Sequence, residues 1–274
     1  MPIMSSGKKS KTAGKKPAAA MGSVLKAFEV LEIFERKWRP LSVTELSRET
    51  GQPKSSLHRV LTTLVHAGVL EQTESGLYRL TLKLWRIGAS ALADIDLVQV
   101  AHPFLEALSK AADETVHLAV LEPEGGVVYL SKVESPRSIR VQTQVGRITP
   151  SWCTATGRML LAHDRVLREK VLAGPLEKLT PDTETDPARL REIIGKVAAD
   201  GISVIKGENH PEMGGIAGPI RDHTGAVVAA CALAVPAFRM DDALIERCSS
   251  LVRQSVAEIS AALHFRPSSN PLSR

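Results

Sequence analysis

Between residues 42 and 68 the chain reads SVTELSRETGQPKSSLHRVLTTLVHAG, and few folds accommodate such a stretch. Ser42 and Glu45 stand at capping-box spacing, which predicts a helix from there to about residue 50. The triplet GQP interrupts it, because glycine tolerates the turn and proline suits a first helical position. A further helix then carries Leu57, Val60, Leu61, Leu64 and Val65 on one stripe, with Gly68 at its C-terminal cap. Upstream, SVLKAFEVLEIF over residues 23–34 places Val24, Ala27, Phe28, Leu31 and Phe34 at helical spacing, with Ser23 as N-cap. Downstream, VLEQ and LYRLT flank the turn signal TESG and predict a small hairpin. Helix, helix, short turn, helix, hairpin is the order of a winged helix-turn-helix.

The third of these helices opens on Lys54, Ser55, Ser56, His58 and Arg59. Its apolar stripe is committed to packing, so the polar end faces outward, and a recognition helix enters the major groove of DNA by that end. Serine hydroxyls approach phosphates and base edges closely. An arginine bidentate to guanine contributes about 1–3 kcal/mol of discrimination. Charge agrees in its distribution. Of the formal +5, all is accounted for by five lysines in residues 1–20, a segment without acids that reads as a disordered basic arm. Residues 21–88 carry ten Lys or Arg against seven Glu, so the predicted small domain is also positive.

No run of eighteen apolar residues occurs, so no membrane span is expected. The N-terminus lacks the apolar segment of a secretory signal. Three scattered cysteines with no CxxC pair predict reduced thiols rather than a disulfide framework or zinc ribbon, and hence a cytoplasmic protein.

The rest of the chain reads differently. Residues 84–112 form a helical stretch broken near Pro103, of which 84–100 would be a linker helix. From residue 114 to 146 the pattern alternates and predicts an antiparallel meander. Helices follow near 154–162 and 187–199, then two strands, GGIAGPIRD and AVVAACALAV, joined at HTG. A last helix opens at Asp241 and runs to about His264. The class is α+β, with a basic arm at 1–20, a DNA-binding domain at 21–83, the linker at 84–100, an effector domain at 101–265 and a disordered tail at 266–274.

Signs of an enzyme are poor. KGENHPEMGG gathers Glu208, His210 and Glu212, but no HExxH or paired His spacing accompanies them, and no metal or cofactor is expected. His117 falls out of phase with the apolar side of its strand and reads as structural. Cys153 precedes a helix N-terminus, where a thiolate is stabilised, yet it has no identifiable base and reads as a wall residue. No GxxxxGK phosphate loop is present. Two functions remain open: a DNA-binding regulator, and a ligand-binding sensor or scaffold that does not bind DNA.

The ordered set of motifs resembles the IclR-type bacterial transcription regulators. SVLKAFEVLEIF, LSVTELSRETGQPKSSLHRVLTTLVHAGVLEQ and GLYRL look like their DNA-binding half. DETVHLAVLEPEGGVVYLSKVESP, ATGRMLLAH and GGIAGPIRDHTGAVVAACALAVP look like their effector half. The likeness covers about residues 22–263. It implies a GAF-like domain built on a six-stranded antiparallel sheet, a homodimer or homotetramer on a double-stranded operator, and a small-molecule effector. Repressor and activator both remain open. It places recognition roles on Lys54, Ser55, Ser56, His58 and Arg59, and a wing role on Tyr78 and Arg79. The implied pocket is lined by Val141, Thr143, Trp152, Thr154, Ala155, Thr156, Ile205, Gly215, Ala232 and Ala234, with His210 on a loop above it. Relatives that take small keto or hydroxy acids tend to be polar where Ala232, Ala234 and Ile205 stand. Apolar residues there, with Trp152 as a flat surface, suit an aromatic acid or related ring compound.

Overall fold

The computed structural model describes residues 21–92 and 97–264. The predicted arm, the C-terminal tail and the centre of the predicted linker therefore lie outside the described residues. The chain divides after Leu92 into two compact units.

The first unit contains α1 (Gly22–Lys37), α2 (Val43–Thr50), α3 (Lys54–His66), β1 (Leu70–Gln72), β2 (Tyr78–Leu80) and α4 (Leu82–Leu92). The Ser42 hydroxyl accepts from the Glu45 amide while the Glu45 carboxylate accepts from the Ser42 amide, so the predicted capping box is formed. Gly51 makes the following turn at φ +67°, a conformation that penalises any Cβ. Leu57, Leu61 and Leu64 of α3 are buried with Leu46 of α2 and Leu41, Leu70 and Tyr78. Val65 stays exposed, because a stripe at i, i+4 and i+7 already fills the contact.

Two details of α1 differ from expectation. Its N-cap is Met21, with no side-chain cap, rather than Ser23. Its buried face runs through Val30, Ile33 and Phe34, which leaves Val24 and Phe28 exposed. The apolar residues of α1 cover more than one face, so spacing alone does not select the buried one. In the hairpin Leu70 pairs with Leu80 and Gln72 with Tyr78, and Leu41 bridges to Tyr78 as a third short edge.

The second unit runs α5 (Leu97–Ala112), β3 (Thr115–Leu121), β4 (Val127–Val133), β5 (Ile148–Thr149), α6 (Ala155–His163), α7 (Arg165–Leu172), α8 (Pro187–Asp200), β6 (Ser203–Lys206), β7 (Met213–Arg221), β8 (Val227–Pro236) and α9 (Asp242–Ala262). Six strands form one antiparallel sheet in the order β5-β4-β3-β8-β7-β6. Pro103 lies inside α5 instead of breaking it. The predicted meander stops early: β4 ends at Val133, and Pro136, which has no amide to donate, follows within three residues. Residues 134–147 are a loop pinned by the Ser135 hydroxyl on the Asp113 carbonyl and by the Thr115 hydroxyl on the Val141 carbonyl. Short α7, β5 and β6 carry too few residues to show a period in the sequence.

Pleating sorts the sheet's two faces. Val116 and Leu118 of β3 and Cys231, Leu233 and Val235 of β8 pack with Leu105 and Leu108 of α5 and Val252 and Ile259 of α9. The opposite face carries small residues, Ala217, Ala230 and Ala232, against Ala155 and Met159 of α6 and Val197 of α8.

Removing the α2 cap tests the local argument. Ser42→Ala is expected to destabilise the first unit by about 1 kcal/mol, read as faster hydrogen exchange of the α2 amides in the full-length protein.

Candidate functional site

Burial of Leu57, Leu61 and Leu64 fixes the rotation of α3 about its axis. Lys54, Ser55, His58, Arg59, Thr62 and Thr63 are thereby exposed, and Ser56 is half-buried. The hydroxyls of Thr62 and Thr63 donate back to the carbonyls of His58 and Arg59, so they are committed to the helix itself. Ser55, Ser56 and Arg59 line an open groove of about 610 Å³ together with Ser23 and Lys26 of α1. Sequence reasoning did not find this α1 wall, which arises only from the packing of α1 beside α3. The predicted wing pair separates. Arg79 points outward and is ion-paired with Glu71 across the hairpin. Tyr78 is only 4% exposed and belongs to the hydrophobic core. A wing role for its side chain is corrected: alternate residues of a strand face opposite sides, and here the tyrosine took the inner one.

In the second unit, the small-residue face of the sheet and the N-terminal turn of α6 line a half-open inner chamber of about 60 Å³. Cross-strand register explains its floor. Thr115, Ala234, Gly215 and Ile205 lie in one row, and His117, Ala232 and Ala217 in the next. A Cβ on Gly215 would come within 3.1 Å of the Ala155 Cβ, so glycine there lets the helix end approach the sheet. An outer chamber of about 790 Å³ shares Tyr129, Thr143, Asn209 and Met213 with the inner one.

Nine predicted residues reach the inner chamber: Val141, Thr143, Thr154, Ala155, Thr156, Ile205, Gly215, Ala232 and Ala234. Two do not. His210 lines the outer chamber, where its Nδ1 accepts from the Glu212 amide. Trp152 lines a different cleft of about 460 Å³, with Gly125, Gly126, Lys170 and Val171. It precedes the α6 N-cap, Thr154, and the chain turns between them, carrying the indole away from the small-residue face. The flat surface assigned to Trp152 is therefore not part of this pocket.

Missed in the sequence were His117, Tyr129, Asn209, Met213, Gly214 and Leu233. His117 is out of phase with the apolar face because it belongs to the chamber face of the sheet. It is 2% exposed, its Nε2 is bonded to the Thr143 hydroxyl, and its ring lies 4.6 Å from that of Tyr129 at 31°. Burial, and next the charge of Lys132, lower its pKa to about 3, so the imidazole is neutral. Burial raises the pKa of the Tyr129 phenol. The Thr156 hydroxyl is buried and interacts with that phenol, which it holds below the pKa that burial alone would give.

The loop that carries Asn209 is held from behind. Arg158, 3% exposed along its side chain, forms a bidentate pair with Glu208, one contact being 2.7 Å. The hydroxyls of Thr180 and Thr183 donate to the Gly207 and Glu208 carbonyls at 2.7 and 2.6 Å. Cys153 is fully buried, and burial first, then Glu208, push its thiol up to about 12, so it is no nucleophile. It lies outside the inner chamber's lining, its Sγ 3.8 Å from the Asn209 Oδ1. Among the described residues no group of three or more His, Cys, Asp or Glu is placed to hold a metal ion, and no helix is long and apolar enough to cross a membrane.

Both units match known families. The IclR helix-turn-helix domain matches residues 23–74, and the bacterial transcriptional regulator IclR C-terminal domain matches residues 89–261. The chain is 31% identical over 249 residues to the HTH-type transcriptional regulator KdgR of Escherichia coli K12, covering 90% of this chain and 94% of that one. It is 32% identical over 213 residues to the Pca regulon regulatory protein of Pseudomonas putida, covering 77% and 72%. Among solved structures it is similar to an IclR homologue from Microbacterium hydrocarbonoxydans complexed with 4-hydroxybenzoate. That match has a TM-score of 0.77 at 29% identity and covers 89% of this chain and 99% of the other.

Two outcomes follow from the buried groups. Between pH 6.5 and about 3 the unfolded chain binds a proton at His117 that the folded chain does not, so this residue's contribution is lost as pH falls. His117→Gln should reduce the stability loss between pH 7 and pH 5 by about 2 kcal/mol in denaturant titrations. Arg158→Met strands the Glu208 carboxylate and should cost about 3–5 kcal/mol by the same measurement, with Arg158→Met/Glu208→Met recovering much of it.

Proposed function

Since this chain belongs to the IclR family of bacterial transcriptional regulators, we propose that it reads its operator through α3 and is tuned by an aromatic acid bound in the second unit. That it is a DNA-binding regulator with a C-terminal ligand-binding domain, rather than an enzyme, follows from the family. The reading of α3 is supported by one observation above the rest. Three buried leucines hold Lys54, Ser55, His58 and Arg59 toward solvent with Ser56 half-buried beside them, and Lys54, His58 and Arg59 have no ion pair among the described residues. The sensor or scaffold alternative finds no support in a helix-turn-helix match over residues 23–74.

The aromatic acid reading no longer draws on Trp152. It draws on the outer chamber, whose volume of about 790 Å³ falls among small-molecule sites and whose walls include Tyr129, Ile148, Pro150, Leu179 and Met213. The apolar floor at Ala232, Ala234 and Ile205 lies behind it. A similar structure holds 4-hydroxybenzoate. Met21, Leu25, Phe28, Leu82 and Trp85 are exposed on the first unit, with Phe28 at 58% and Trp85 at 71%, apolar surface that suits a homodimer or homotetramer. Effector binding then acts through the linker near residues 84–100 on the spacing of two recognition helices, whose half-sites lie one helical turn or a multiple apart. Coupling of this kind changes operator affinity by about 1–3 kcal/mol.

A salt-dependent gel shift with DNA flanking the protein's own gene tests the reader. Arg59→Ala should weaken binding about tenfold or more, while a chain lacking residues 1–20 should retain sequence preference. Equal binding by wild type and Arg59→Ala, lost on removal of residues 1–20, would overturn the assignment to α3.

A further inference from the structure

The groove beside α3 has a second wall, on α1, whose charge faces no partner in the protein. Ser23, Lys26 and Ala27 of α1 stand across it from Ser55, Ser56 and Arg59 of α3. With about 3.6 residues per turn, α1 divides its surface in two. Residues 23, 26 and 27 fall on the groove side, whereas Val24, Leu25 and Phe28 fall on the other and stay exposed. The apolar face of α1 and its groove wall are therefore different surfaces.

The groove is polarised toward anions. Lys26 and Arg59 are exposed, and neither has an ion pair among the described residues. No acidic side chain among the described residues lines the groove. Pro53, at the N-cap of α3, offers no side-chain acceptor to the first-turn amides, and that turn holds no acid, so the positive end of the helix dipole is uncompensated. The hydroxyls of Ser23, Ser55 and Ser56 add neutral donors. Aromatic anchors, which protein partners favour, do not line it.

Dimensions separate what the two walls can touch. An α-helix with its side chains is about 10–12 Å across, and the major groove of B-DNA is about 12 Å wide. One helix fills that groove. Packed helices keep their axes about 8–10 Å apart, so a side chain on α1 meets the rim, which is phosphate, while α3 meets base edges. A lysine suits the rim, because its ammonium is a compact charge on a flexible stem without the fork that reads guanine.

We propose that Lys26 of α1, assisted by the Ser23 hydroxyl, holds a DNA backbone phosphate at the rim of the major groove that α3 occupies. Lys26 contributes affinity and register on the duplex, and no base preference. The assignment rests on the reading of α3 as the element in the major groove.

Fluorescence anisotropy with the full-length protein tests it, using two labelled duplexes of equal length between about 50 and 200 mM salt. One duplex comes from DNA flanking the protein's own gene and the other is unrelated in sequence. Lys26→Gln should weaken both by the same factor, about three- to tenfold, and make the slope of log affinity against log salt shallower by about one. Lys26→Arg should restore the wild-type slope. Ser23→Ala should weaken both by about twofold and leave the slope unchanged, because a hydroxyl neutralises no phosphate. Arg59→Ala should instead collapse the preference for the flanking DNA. An unchanged slope in Lys26→Gln, or a loss confined to the flanking DNA, overturns the phosphate contact while Arg59→Ala still marks α3 as the reader. An unchanged slope together with a fall in the Lys26→Gln assembly mass by sedimentation equilibrium makes the groove an interface between copies, which also overturns it. If Arg59→Ala keeps the wild-type preference, the reading of α3 fails and this assignment with it.

Discussion

Side-chain alternation along β8 is the constraint on which the second unit depends. Cys231, Leu233 and Val235 face one way and fill the layer under α5 and α9. Ala230, Ala232 and Ala234 face the other. With alanine at each pocket-side position, and with Gly215 and Ala217 beside them on β7, that face lies low enough for a helix end and a cavity to share it. A larger side chain in any of these rows would fill the cavity or lift α6, because interiors have no spare volume to absorb it.

The upper wall depends on close approach and buried polarity. A Cβ on Gly157 would lie 2.3 Å from the backbone of Ser151, so only glycine lets the first turn of α6 pass over the preceding loop. Thr154 caps that turn through the Gly157 amide. Arg158, one residue further on, turns to the Glu208 carboxylate and holds the loop carrying Asn209. Floor, helix end and loop are thus set by backbone contact and by a buried ion pair, and pocket polarity is left to a few groups, His117 and Thr156 chief among them.

The first unit separates the same two tasks on a smaller scale. Leucines of α3 and the capping box of α2 set the frame, and none of these groups is free to contact a ligand. The outward face of α3 bears almost no packing duty, so its residues are available to a partner. The exposed positions of α3 are thus ones whose replacement leaves the core untouched.

Much of this was legible before folding was considered. Capping spacing, the helical period of Leu57, Leu61 and Leu64 and the turn at Gly51 are local, so they marked the helix-turn-helix and its polar end. Period-two runs marked β3, β7 and β8, and nine of the residues that the family resemblance implied line one chamber. What failed were the decisions between faces. Tyr78 turned inward, Trp152 turned to another cleft, and α1 buried Val30 and Ile33 instead of Val24. His117, a lone histidine with no nucleophile beside it in the sequence, stands on the chamber floor. A strand or helix offers its faces with equal local energy, and only the elements packed against it decide which becomes core, which becomes cavity and which meets solvent.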